Sequence, residues 1–186
     1  MSSRRAFLAA PLGLLAGCGF QPVYAPGGGT NASAGGGIAQ NDPSLRRALA
    51  AVRVSIIPER NGQILRRTLQ RRFEGLEPGI QGRYELDVFL SYATEVLGYR
   101  TDGLATRVRI VATVNWALAT LAIPREVFER GSARTIDAYN LPDLQFFAAD
   151  ASREDMERRI VAELSDRVVL GVAVALRQRI AATPAA

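Results

Sequence analysis

Two long stretches of the chain alternate apolar and polar residues with the period of a strand buried on one side. In residues 84–97, Tyr84, Leu86, Val88, Leu90, Tyr92 and Val96 share a face, and Glu85, Asp87, Ser91 and Glu95 lie on the other. In residues 105–120, Val108, Ile110, Val114, Trp116 and Leu118 face one way and Arg107, Arg109, Thr113 and Asn115 the other. The Arg100-Thr101-Asp102-Gly103 turn joins the two. A third, more polar alternation runs over residues 127–139, and Gly131 inside it predicts a bulge. Residues 51–57, rich in β-branched side chains and stopped by Pro58, predict a further strand.

The remaining patterned segments have helical spacing. Leu65, Leu69, Phe73 and Leu76 recur every three or four residues, which predicts a helix over 61–74 ended by Gly75 and Pro78-Gly79. Met156, Ile160, Leu164, Val168, Val172 and Leu176 predict a second helix over 152–180, opened by a loose capping box of Ser152 and Asp155. Strand, helix, three strands, helix is the order of an α+β two-layer sandwich, with two helices packed on a four-stranded mixed sheet. The globular domain is expected to span residues 45–181, with 182–186 as a disordered tail.

The start of the chain has a different pattern. Arg4 and Arg5 precede an apolar run of about 11 residues, against the roughly 20 needed to cross a bilayer. Residues 1–17 therefore predict a secretory signal peptide. Ser3-Arg4-Arg5-Ala6-Phe7-Leu8 also fits a twin-arginine export pattern, although adjacent Arg residues arise easily in a chain with no Lys, and ordinary secretory export stays open beside it. The peptide ends Leu15-Ala16-Gly17-Cys18, which resembles the lipobox of bacterial lipoproteins and implies acylation of Cys18. Gly19 lacks the acidic residue that keeps some lipoproteins in the inner membrane, so the resemblance implies the outer membrane. Residues 18–44 are expected to form a lipidated start and a flexible Gly-rich tether. Within it Phe20 and Tyr24 are candidates for packing on a partner.

Composition then removes whole classes of chemistry. There is no His and one Cys among the 186 residues, so His-dependent nucleophilic catalysis, His-ligated metals, an internal disulfide and multi-Cys metal sites are excluded. No cofactor or metal is expected. Without residues 1–17 the chain keeps 21 Arg against 18 acids, too mild a charge to argue for nucleic acid. Glu85, Asp87 and Glu95 sit on one strand face, where same-face neighbours are roughly 6–7 Å apart, a spacing that would admit a carboxylate hydrolase; no nucleophile motif, Gly-rich loop or metal cluster flanks them, and a solvated strand face is the preferred reading.

The segment Cys18-Gly19-Phe20-Gln21-Pro22-Val23-Tyr24, followed by a tether and this order of elements, resembles the LptE family of lipopolysaccharide-assembly lipoproteins. The resemblance implies a non-enzymatic outer-membrane lipoprotein on the periplasmic side. It would plug an LptD-like β-barrel protein and help insert lipopolysaccharide into the outer leaflet. A periplasmic binding module for another anionic lipid or transport complex is the alternative.

Two sets of residues are candidates for such contacts. A guanidinium binds paired phosphate oxygens through parallel donors, so Arg100, Arg107, Arg109 and Arg134, at strand ends or outward faces near Phe89, are candidates for lipopolysaccharide. Residues 168–176 read VVLGVAVAL without a polar side chain. A helix lying on a sheet needs an apolar stripe rather than an apolar circumference. Val169, Leu170, Ala173 and Val174 are therefore expected to face a partner, or else the connector at residues 141–147.

Overall fold

The computed structural model describes residues 42–182. In chain order these form α1 (Pro43–Ala50), β1 (Val52–Val54), α2 (Arg60–Glu74), β2 (Tyr84–Tyr99), β3 (Ala105–Thr120), β4 (Val127–Asn140) and α3 (Phe146–Ala182). The four strands make one sheet in the order β1-β2-β3-β4. β1 runs parallel to β2 through the α2 crossover, and the other pairs are antiparallel. The fold is the expected α+β type, but three helices pack on the sheet instead of two.

The additional helix has clear local causes. The Asp42 carboxylate accepts from the backbone N–H groups of Ser44 at 3.0 Å and Leu45 at 3.1 Å. Pro43 occupies the first turn, where its missing N–H is no loss. Leu45 and Leu49, four residues apart, are fully buried. The helix thus begins inside the segment expected to be tether.

The other differences are of length. α3 starts at Phe146, six residues before the expected cap at Ser152, and its 37 residues extend about 55 Å. That matches the roughly 53 Å of the 16-residue strands β2 and β3, so one helix covers the full length of the sheet. β1 is only three residues long. Its outer edge is consumed by α2: Val54 N–H donates to the Gln70 side chain at 2.9 Å and Val54 C=O accepts from Arg66 at 3.2 Å. Gln70 and Arg66, one turn apart, close that edge against further pairing.

The core lies between the helices and the face of the sheet that carries Leu86, Val88, Val114, Trp116 and Leu118. Leu65, Leu69 and Phe73 of α2 and the whole expected stripe of α3 from Met156 to Leu176 are buried there. Gly131 is not a bulge. It pairs in register with Trp116, and the shift lies nearer the strand start, between Leu118↔Glu129 and Ala119↔Val127. The extra residue, Phe128, makes an edge contact with Tyr84 at 5.8 Å and lies under the Arg179 guanidinium at 4.1 Å.

Gly131 is needed for space. A Cβ there would overlap the Trp116 six-membered ring, and a Cβ at Gly171 of α3 would lie 2.7 Å from the same ring. The indole fills the room left by two missing side chains. Gly→Ala in an open strand or helix position is normally stabilising. Here Gly131→Ala and Gly171→Ala should each destabilise by about 1–3 kcal/mol, because the indole or the backbone must move. Urea denaturation of each variant checks the sign.

Polar links fasten α3 to the edge strand β4. Thr135, buried, donates to Glu163; Arg159 pairs with Asp137 at 2.8 Å; Arg167 donates to the Arg134 carbonyl at 2.6 Å. The hydrogen bond from Thr135, helped by the Arg167 guanidinium, holds Glu163 below its ordinary value of 4.5. A lowered carboxylate stabilises above the unfolded value and loses that contribution as pH falls through the folded one. Glu163→Gln should therefore lower stability near neutral pH, with the variant and wild-type curves converging as pH falls through and below the range where carboxylates titrate. Denaturation midpoints across that range measure it.

Candidate functional site

All three helices lie on one face of the sheet. The opposite face, made by β2, β3 and β4, is uncovered among the described residues. The strand register arranges it in rungs. One rung is Glu95–Arg109–Ala138, the next Ala93–Val111–Ile136, the next Ser91–Thr113–Arg134, and then Phe89–Asn115–Ser132. Arg107 stands two residues beyond Arg109 on β3. Guanidiniums, an apolar rung, another guanidinium and an exposed Phe89 thus follow one another along the sheet.

The four candidate arginines do not converge on a point. Arg107, Arg109 and Arg134 share the open face, with Arg134 about 13 Å along the sheet from Arg109. Arg109 donates to Glu95 across the β2–β3 pair at 3.1 Å. Arg107 and the Arg134 guanidinium are exposed and make no ion pair among the described residues. Arg100 belongs to the β2–β3 turn and bridges Asp102 at 3.1 Å and Asp143 at 2.5 Å. It ties the hairpin tip to the β4–α3 connector, so its donors are already engaged.

The carboxylates on this face are committed as well. Glu85 and Asp87 both hold Arg125, whose pKa is raised first by the hydrogen bond to Asp87. Glu95 holds Arg109. These are surface ion pairs. No group of three or more His, Cys, Asp or Glu among the described residues is placed to hold a metal ion.

The apolar segment of α3 requires a correction. Val169 and Ala173 are buried at 3% and 0% exposure, so they cannot form an outward patch. α3 packs on β4 with one side and on α1 and α2 with the other, which demands an apolar surface wider than a single stripe. Only Leu170 and Val174 face outward, at 43% and 45% exposure. The connector does not cover them: Leu144, Phe146 and Phe147 are themselves exposed. Leu97, Tyr99 and Leu104 of the hairpin tip add to that apolar end, which the sequence reading missed. The adjacent pair Phe146-Phe147 was the available signal, because neighbouring residues on a helix point about 100° apart and cannot both face one core. No helix among the described residues is long and apolar enough to cross a membrane. Cys18, Phe20 and Tyr24 lie outside the described residues.

With this geometry in place, the sequence profile of a lipopolysaccharide-assembly family, LptE, matches residues 49–170. The chain belongs to the LptE family. The match runs from the end of α1 into α3 and so covers the sheet and its open face. A crystal structure of a protein from Caulobacter crescentus CB15, described as a lipoprotein, superposes with a TM-score of 0.57 at 25% identity, covering 76% of this chain and 98% of that one. Rare lipoprotein B from Shewanella oneidensis superposes at a TM-score of 0.49 with 13% identity, over 70% and 96% of the two chains. No protein of curated function matches the sequence. LptE membership assigns the chain to lipopolysaccharide assembly.

For this LptE-family chain the open face can be tested directly. Arg107 and Arg109 stand two residues apart on one strand face, roughly 6–7 Å. Charge-assisted contacts from guanidiniums contribute on the order of 1.5–3 kcal/mol each. Replacing both with Gln should weaken lipopolysaccharide binding by roughly ten-fold or more. The melting temperature should change little, because an exposed pair such as Arg109–Glu95 contributes about 0–1 kcal/mol. Binding isotherms and thermal melts of the double variant separate the two effects.

Proposed function

We propose that this chain is a non-enzymatic outer-membrane lipoprotein, anchored through Cys18 on the periplasmic side, that assembles with an LptD-like β-barrel protein and presents lipopolysaccharide with the open face of its sheet. The observation that carries this reading is the one-sided packing. The described helices all lie on one face, and the other offers guanidiniums and apolar rungs in alternation. A phosphate-bearing, acylated amphiphile matches that order: guanidiniums take phosphate oxygens pairwise, and Val111, Ile136 and Phe89 take acyl chain. LptE-family membership supports the same assembly role.

Leu170 and Val174 are the parts of α3 left for the barrel wall. In a pull-down of the full chain from outer membranes, a large β-barrel protein should come down with it. Leu170→Glu should reduce that yield without unfolding the chain, since a charge placed at an interface without a partner costs about 2–5 kcal/mol. Recovery of lipid without any barrel protein would favour the other binding-module reading. Fatty-acid labelling should disappear in Cys18→Ala.

A further inference from the structure

A cavity of about 250 Å³ lies between the inner face of the sheet, the first turn of α2 and the stretch of α3 from Arg153 to Ile160, away from the open face. Its apolar wall is Ile110, Met156 and Ile160, and Met156 and Ile160 are almost wholly buried. Asn61, Tyr92, Thr94, Tyr139 and Glu157 supply its polar groups, together with Arg153.

Three of these groups lack what buried polar groups normally have. Asn61 Oδ1 and the Tyr92 hydroxyl are shielded from solvent and close enough to interact, yet neither makes a hydrogen bond of good geometry. Such orphans are rare and costly in folded proteins. Glu157 is half-buried and makes no ion pair among the described residues, whereas Glu154 and Asp155 beside it both pair with Arg158. Arg153 turns toward Asp150 at 3.5 Å.

The local field is negative. The Tyr92 phenol is pushed up to about 12, first by burial and then by Glu157; the Asn61 side chain opposes the rise, and Glu59 at the head of α2 adds to it. Glu59 has φ 66° and ψ 163°, a conformation populated essentially by glycine alone, and its side chain caps nothing. Backbone strain of this kind persists where surrounding structure holds it in place, and here it sets an acid beside the cavity.

We propose that this cavity binds a small primary ammonium compound with a short apolar body. Glu157 and Asn61 Oδ1 accept from the ammonium group, whose three N–H donors suit acceptors that have no well-formed partner in the free protein. The Tyr92 hydroxyl, held neutral, takes a remaining contact, and Ile110, Met156 and Ile160 cover the apolar body. An anion is disfavoured: the acceptors outnumber the single cation, and that cation is drawn to Asp150.

Three size-matched probes test the charge assignment in the full chain held in non-ionic detergent: phenethylamine, 2-phenylethanol and phenylacetate. Amide NMR shifts should move saturably around Asn61, Tyr92 and Glu157 with the amine, at least about ten-fold more weakly with the alcohol, and not with the acid. Glu157→Gln should weaken amine binding about ten-fold and leave the alcohol unchanged. Tyr92→Phe should weaken amine binding and keep or raise the melting temperature, because its hydroxyl makes no hydrogen bond of good geometry in the free protein. A marked fall in the Tyr92→Phe melting temperature would show a structural partner for the hydroxyl and count against the site. Absence of saturable shifts with phenethylamine overturns the proposal. So do three probes that bind alike and ignore Glu157→Gln, since the cavity would then be an apolar or water-filled void.

Discussion

The Trp116 indole is the wedge on which the two layers are set. It projects from the central antiparallel strand β3 into a space that exists only because β4 has Gly131 directly opposite and α3 has Gly171 above. Close-packed interiors transmit even a methyl group's displacement. The position of this ring therefore fixes how near α3 approaches the sheet and along which line. Phe128, the one extra residue of β4, does similar work at the other end of the contact, gripping Tyr84 and the Arg179 guanidinium.

That placement of α3 has a consequence for the rest of the chain. A helix as long as the sheet, clamped to β4 by Thr135–Glu163 and Arg159–Asp137, leaves room on the same side for α2 and for α1. All three described helices are then used on one face. The second face keeps an antiparallel sheet's freedom to meet solvent or a partner. Its apolar rungs are the price of a strand pattern that never becomes fully polar on the outward side. The β1 edge is closed by Gln70 and Arg66, which directs exposure to the sheet's face and to the β4 edge.

Arginine serves several purposes in a chain with no lysine. Arg66 caps a strand edge, Arg100 ties a turn to a connector, Arg125 holds two carboxylates, and Arg179 lies over a ring. Exposed pairs of this sort add little stability one by one. Their effect is orientation, through the planar fork that a lysine lacks. Among the described residues, Arg107 and Arg134 stand outward on the open face without an ion pair.

The strand alternations of residues 84–97 and 105–120, the stripes of α2 and α3, and the mixed α+β class were legible in the sequence, because a period of two or of about three and a half residues reports directly which side is buried. The helix α1 was hidden: Asp42 and Pro43 are sound start signals, but eight residues after a glycine-rich run show little periodicity. Outward strand arginines could be named from alternation alone. Which of them were already engaged could not, since Asp143 lies 43 residues from Arg100 and reaches it only through the fold. The same holds for VVLGVAVAL, whose apolar circumference looked like a surface for a partner. Burial of Val169 and Ala173 follows from α1 and α2 closing over the back of α3, a contact between segments far apart in sequence. Local periodicity determined what each segment is; long-range packing decided which surfaces remain to be used.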